Sequence, residues 1–222
     1  MPGDILDNSM IACLEAGYFP DQASAGLMTF HKGEWTHHAT EALHSLVLAH
    51  AGLPWLGLGH SQGFQKLIEL SVRWHRLFSL HGFTRFTSGP DFQEGTPPRV
   101  MSRMVQKAEQ NLPLVLQDFH ERCGHVPHWA RLDEQSLLHD LRSLQALNCT
   151  SALQHTMAHG TELHAWSSMR DRIVSLEMAD ACFGKALSAQ GRELHKVDAE
   201  HAGFADRPAL YTGSLLHLLH PA

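Results

Sequence analysis

The sequence predicts an all-α fold, a single irregular bundle of about seven helices spanning residues 1–222 with one long central loop. Three observations predict it. Apolar residues recur at three- and four-residue steps through most of the chain. Proline and glycine divide that pattern into helix-length pieces. The β-branched runs that usually mark buried strands are almost missing. Composition agrees with an ordered globular chain, because 43% of residues are hydrophobic and 18% are charged.

A first short helix is expected over residues 5–16. A second over 34–51 places Trp35, Ala42, Leu46 and Val47 on one side. The third, 62–81, carries Leu67, Ile68, Leu70, Trp74, Leu77 and Phe78, enough for deep packing. Residues 83–98, "FTRFTSGPDFQEGTPP", hold the clearest Gly, Ser and Pro punctuation and read as a mobile surface loop. Pro97 and Pro98 open a helix over 99–122, since proline suits a first turn, and Pro113 kinks it. A further helix covers 132–147. Thr161 can cap the longest pattern, in which Leu163, Trp166, Met169, Ile173, Leu176, Phe183 and Leu187 recur toward His195. Residues 210–219 close the bundle. Strand candidates are confined to 53–58 and 112–116.

The N-terminal residues carry acids and no basic-then-apolar leader, and no apolar run approaches the ~20 residues of a membrane helix. Cys13, Cys123, Cys149 and Cys182 are scattered without a C-x-x-C pair, so the expected setting is a reducing cytoplasm, away from membranes.

Charge is uneven. The net value is −6, yet residues 66–107 contain seven basic residues against three acidic ones. Arg99, Arg103 and Lys107 stand at i, i+4 and i+8, one stripe of a helix, near a helix start where the macrodipole disfavours cations. Upstream, Arg73, Arg76 and Arg85 interleave with Trp74, Phe83 and Phe86. Cations hold phosphates while rings such as Phe83 or Phe86 stack on bases. The leading expectation is therefore a cytoplasmic helical binding or assembly protein, suited to an oligomer or larger complex. Arg73, Arg76, Arg85, Arg99, Arg103 and Lys107 would contact nucleic acid or an acidic protein surface.

Nineteen histidines raise a metal-dependent helical enzyme as the alternative. His37, Glu41 and His44 fall at i, i+4 and i+7 of the second predicted helix, and His155, His159 and His164 cluster in "HTMAHGTELH". Such imidazole and carboxylate sets suit a transition metal, zinc, iron or manganese.

A third expectation rests on Gly59-His60-Ser61-Gln62-Gly63. It matches G-x-S-x-G and resembles the turn that lifts a catalytic serine above the sheet of α/β-hydrolases, which implies a serine hydrolase using Ser61. An apolar run precedes it and an amphipathic helix follows. The helical reading of the remaining chain leaves no sheet for that turn, and makes Gly59–Gly63 an interhelical corner with Ser61 as a helix N-cap.

Overall fold

A seven-stranded sheet, not a helical bundle, organises the molecule. The computed structural model describes residues 10–15, 27–31, 34–38, 43–50, 52–70, 72–124 and 134–219, with the backbone alone before residue 45. Strands β1 (Met10–Glu15), β2 (Leu27–His31), β3 (Glu34–His38), β4 (Trp55–His60), β5 (Trp74–Leu80), β6 (Glu162–Ser168) and β7 (His195–Val197) lie in the order β3-β2-β1-β4-β5-β6-β7. β1, β4, β5, β6 and β7 are parallel, and β2 and β3 add an antiparallel edge. The chain winds outward from β1 through β3, returns to β4 beside β1, and then proceeds the other way. Such a reversal leaves a crevice at the carboxyl ends of the strands, where ligands of open α/β sheets bind.

Helices cover both faces. On one side α1 (Leu43–Ala49), α2 (Gln62–Glu69), α5 (Thr150–Ala158) and α6 (Leu176–Ala189) pack with Trp55, Phe64, Trp74, Leu77, Leu163 and Phe183. On the other, Leu56, Phe78, Leu80 and Trp166 meet Tyr211 of α8 (Ala209–Leu219), with Phe204 of α7 (Gly203–Asp206) packed against them. α3 (Pro98–Cys123) and α4 (Glu134–Ser143) arch over the carboxyl end of the sheet. No described helix is long and apolar enough to cross a membrane.

The all-α expectation is thus overturned, and the reason is local. Within 62–81 the helix stops at Glu69 and the rest is β5; within 161–195 the helical reading conceals β6, α6 and β7. The expected first helix is β1, and the expected second divides into β3 and α1. β5 and β6 are covered on both faces, so burial is nearly continuous along them while their apolar residues, Trp74, Leu77, Phe78, Leu80, Leu163, Ala165 and Trp166, keep no strict alternation. Such spacing satisfies a helical pattern as easily as a strand pattern. The expected helices at 99–122, 132–147 and 210–219 are present as α3, α4 and α8, and the strand candidate at 53–58 overlaps β4. The candidate at 112–116 is helical, inside α3.

Residues 83–98 are not a loose surface loop. Phe83, Phe86 and Phe92 are buried, Gly89 and Phe92 exchange backbone hydrogen bonds, and Thr96 N–H donates to Phe86 O. The segment is anchored to the core that lies under α3.

Candidate active site

Four successive parallel strands each deliver a residue at their carboxyl end: Ser61 after β4, His81 after β5, Asp171 after β6 and His201 after β7. Backbone bonds continue the ladder beyond the strands, with Ser61 N–H donating to Leu80 O, His81 N–H to Trp166 O and Met169 N–H to Val197 O. The site is therefore built on the rigid edge of the sheet.

Ser61 joins β4 to α2 in a sharp turn with φ 52° and ψ −128°. A non-glycine residue in that region costs about 1–3 kcal/mol, which the surrounding structure must supply. Gly59 makes the turn feasible, because a Cβ there would stand 2.5 Å from the Phe64 Cα. Ser61 occupies the N-cap position of α2 but its side chain caps nothing. Its hydroxyl instead lies 3.0 Å from His201 Nε2. His201 Nδ1 lies 2.7 Å from Asp171 Oδ2. The other Asp171 oxygen accepts from the backbone N–H groups of Ile173 (2.7 Å) and Val174 (2.8 Å).

The electrostatics fit this chain of bonds. Burial alone would raise the Asp171 carboxyl, but the His201 ring and the two N–H donors outweigh it and hold the group below its ordinary value. Asp171 stays a carboxylate, so His201 Nδ1 carries the proton and Nε2 is left to accept from Ser61. Gln62, the first residue of α2, places a backbone N–H beside the serine; the opening N–H groups of a helix have no partner within it, and the helix dipole favours an anion there.

A cavity of about 120 Å³ opens from Ser61 and Gln62 beneath α3 and α4. Phe83, Phe86, Met104, Leu112, Leu116 and Phe119 dominate its walls, with His120 and Asp140 its titratable members. Asp140 is already paired with Lys66 at 2.7 Å.

The basic residues expected to hold a polyanion do not form one surface. Arg76 pairs with Glu162 (3.0 Å), and Arg85 pairs with Asp91 (2.7 Å) while lying over the Phe92 ring. Phe83 and Phe86 are 1% and 7% exposed, so neither can stack on a base. Arg73, Arg99, Arg103 and Lys107 are exposed without an acid partner among the described residues. The expectation of a helical nucleic-acid-binding protein is therefore overturned, since the fold is built on a sheet, both stacking rings are buried and two of the six cations are paired within the protein.

The metal expectation is corrected as well. His37 is on β3 and His44 on α1, so the helical stripe does not exist, and Glu41 lies outside the described residues. His155 and His159 are exposed at the end of α5, where His159 Nδ1 lies 2.8 Å from the His155 carbonyl, while His164 is buried on β6. Among the described residues only His81, Asp171 and His201 gather metal-capable atoms, and those atoms are engaged in hydrogen bonds with the serine, the backbone and one another. Asp171 and His201 were missed as a pair. The available signal was chain order alone, an acid and then a histidine downstream of G-x-S-x-G, because the residues before them, HAWSSMR and LHKVDAE, are not apolar runs.

No family model and no curated protein matches the sequence. Solved structures do match its fold. An α/β-hydrolase from a Medee basin deep-sea metagenome library aligns with a TM-score of 0.58 at 12% identity, over 96% of this chain and 90% of that one. A hydrolase from Oleispira antarctica gives 0.61 at 14% identity over 80% and 69%, and an esterase from Exiguobacterium antarcticum gives 0.53 at 15% over 80% and 70%. The architecture of this chain is similar to theirs, an α/β-hydrolase fold.

Proposed function

We propose that the protein is a serine hydrolase cleaving esters of uncharged, apolar carboxylic acids. One observation carries the reading: Ser61, His201 and Asp171 form an unbroken hydrogen-bond chain at the mouth of an apolar cavity, on a strained strand-to-helix turn. His201 Nε2 takes the Ser61 proton as Oγ attacks the ester carbonyl, and Asp171 stabilises the imidazolium so formed. The Gln62 N–H faces the oxyanion. His201 then returns the proton to the departing alcohol, and water, activated by the same ring, releases the acid. No Lys or Arg lines the described cavity, so a carboxylate or phosphate on the acyl group would find no cation there. Thiols at Cys149 and Cys182 that form no disulfide support a cytoplasmic setting as part of this reading.

The test is labelling by a fluorophosphonate and turnover of a p-nitrophenyl ester series. Wild-type protein is expected to take up the probe at Ser61 and to hydrolyse neutral alkanoyl esters in preference to hemisuccinates. Ser61→Ala should lose both labelling and turnover. Unlabelled wild-type protein that is also inert toward every ester would sink the reading.

A further inference from the structure

The base of this site is held from behind by two other histidines. His81 Nδ1 lies 2.6 Å from the His201 carbonyl oxygen, and His60 Nε2 lies 3.1 Å from the same oxygen. All three rings are buried, with His81 and His201 fully so. A carbonyl only accepts, so the nitrogens facing it are N–H groups: His81 is the Nδ1–H tautomer and His60 the Nε2–H tautomer. His81 Nε2 is then bare. Tyr211 Oη, 2.8 Å away, donates to it, while Ser168 Oγ, 3.0 Å from that nitrogen, spends its proton on the Glu200 carbonyl at 3.1 Å.

We infer that His60 and His81 are positioning residues for His201, two neutral imidazoles clamping its backbone carbonyl so that Nε2 stays aligned on Ser61. The inference rests on the hydrolase reading. His201 lies beyond the short edge strand β7, where backbone bonds from Arg170 N–H to Ala199 O and from Ala202 N–H to Cys123 O hold the residues on either side, and the His201 carbonyl itself is the atom the two rings engage. His60 directly precedes the nucleophile and His81 ends the neighbouring strand, so the clamp refers the base to the same sheet edge that carries the serine. Drift of about 1 Å at a catalytic group can cost 10²-fold in rate. Neutrality suits the role. Burial first, then the neighbouring His201 ring, pushes His81 down to about 4, against the opposing pull of the carbonyl bond and Asp171; His60 is lowered in the same way, with His81 adding to the effect. Neither residue lines the described cavity, so the clamp acts on chemistry rather than on substrate binding.

Geometry supplies a crossed test. An asparagine amide nitrogen reaches the place of a histidine Nδ1, and a glutamine amide nitrogen the place of Nε2. At residue 81 the clamp predicts that His81→Asn exceeds His81→Gln in kcat by about tenfold or more. At residue 60 the order reverses, with His60→Gln exceeding His60→Asn by a similar factor, and KM stays within twofold throughout. The positive φ of His81 (50°) favours asparagine for backbone reasons alone, but that effect appears in Tm, not in kcat of the folded enzyme, and does not extend to residue 60. The same amide preferred at both positions, equal kcat for all four variants, or a loss residing in KM overturns the clamp. Wild-type protein that neither hydrolyses esters nor labels at Ser61 would sink the hydrolase reading instead. In that event ring-nitrogen NMR decides the clamp by itself, since any tautomers other than Nδ1–H at His81 and Nε2–H at His60 refute it.

Discussion

Asp171 shows how one side chain can be committed by its backbone. One of its oxygens is taken by the Ile173 and Val174 N–H groups, so the other must face His201 Nδ1. In Asp171→Asn the amide oxygen keeps the two backbone donors, and the NH₂ is turned toward the ring. His201 Nδ1 must then accept, the proton moves to Nε2, and the ring can no longer take one from Ser61. A fall of about 10³–10⁴-fold in kcat is expected with the fold retained, as for other triads whose acid is amidated. Ester turnover beside a near-UV circular dichroism spectrum checks it, and a loss below tenfold would count against the assigned tautomer. Gly59 is constrained by space rather than charge. The Phe64 Cα and N stand 2.5 and 2.6 Å from where a Cβ would be, and backbone atoms cannot step aside cheaply. Gly59→Ala is expected to cost about 2–4 kcal/mol in urea unfolding; a cost under 1 kcal/mol would mean that the turn is looser than its geometry.

Among the elements, α3 was legible and β5 and β6 were not, for one physical reason. α3 is amphipathic, with Met101, Val105, Ala108 and Leu112 buried and Arg99, Arg103 and Lys107 exposed, so its period survives in the sequence. β5 and β6 read WHRLFSL and ELHAWSS. They carry Leu, Trp, Phe and His where Val or Ile would have announced a strand, and burial on both faces removes any alternation. The Ser61 turn could be seen because its glycines are dictated locally. Asp171 and His201 could not, because no local pattern ties them to the serine, 110 and 140 positions earlier in the chain. The kink expected at Pro113 is present, with Asn111 leaving helical geometry at φ −155°, ψ 80°. Asn111 Oδ1 accepts from Leu114 N–H at 3.1 Å, an N-cap for the second half of α3, which supplies Leu112, Leu116 and Phe119 to the cavity. Asn111→Ala should cost about 1 kcal/mol of stability, and Asn111→Asp much less. Urea unfolding of the pair checks this, and equal costs would show that the side chain does not cap.

At the scale of the whole molecule, the histidines whose side chains are described divide by burial. His155 and His159 face solvent, whereas His60, His81 and His164 are 4%, 0% and 3% exposed. Burial pushes His81 and His164 down to about 4, with Arg192 the next cause at His164, and lowers His60 as well. Each of these rings is neutral in the folded protein at a pH where the unfolded chain, near ~6.5, has begun to bind a proton. The unfolded state therefore holds more protons throughout the window between about 6.5 and 4, and stability falls as pH falls across it. Each of these rings steepens the loss by up to ~1.4 kcal/mol per pH unit within that window. Asp171 acts lower still: its carboxyl is depressed in the folded state, so its contribution is present above the ordinary carboxylate range and lost as pH drops through its own lowered value. Cooperative acid unfolding is expected between pH 4 and 6, ahead of carboxylate titration. His164→Leu removes one of the titrating rings and leaves the Ser61 site untouched, so its stability should depend on pH less steeply, by about 1.4 kcal/mol per unit at the steepest point. Urea midpoints at half-unit intervals from pH 4 to 7 measure both slopes. A flat profile for the wild-type chain, or a variant as steep as its parent, would show that these rings are already charged in the folded protein.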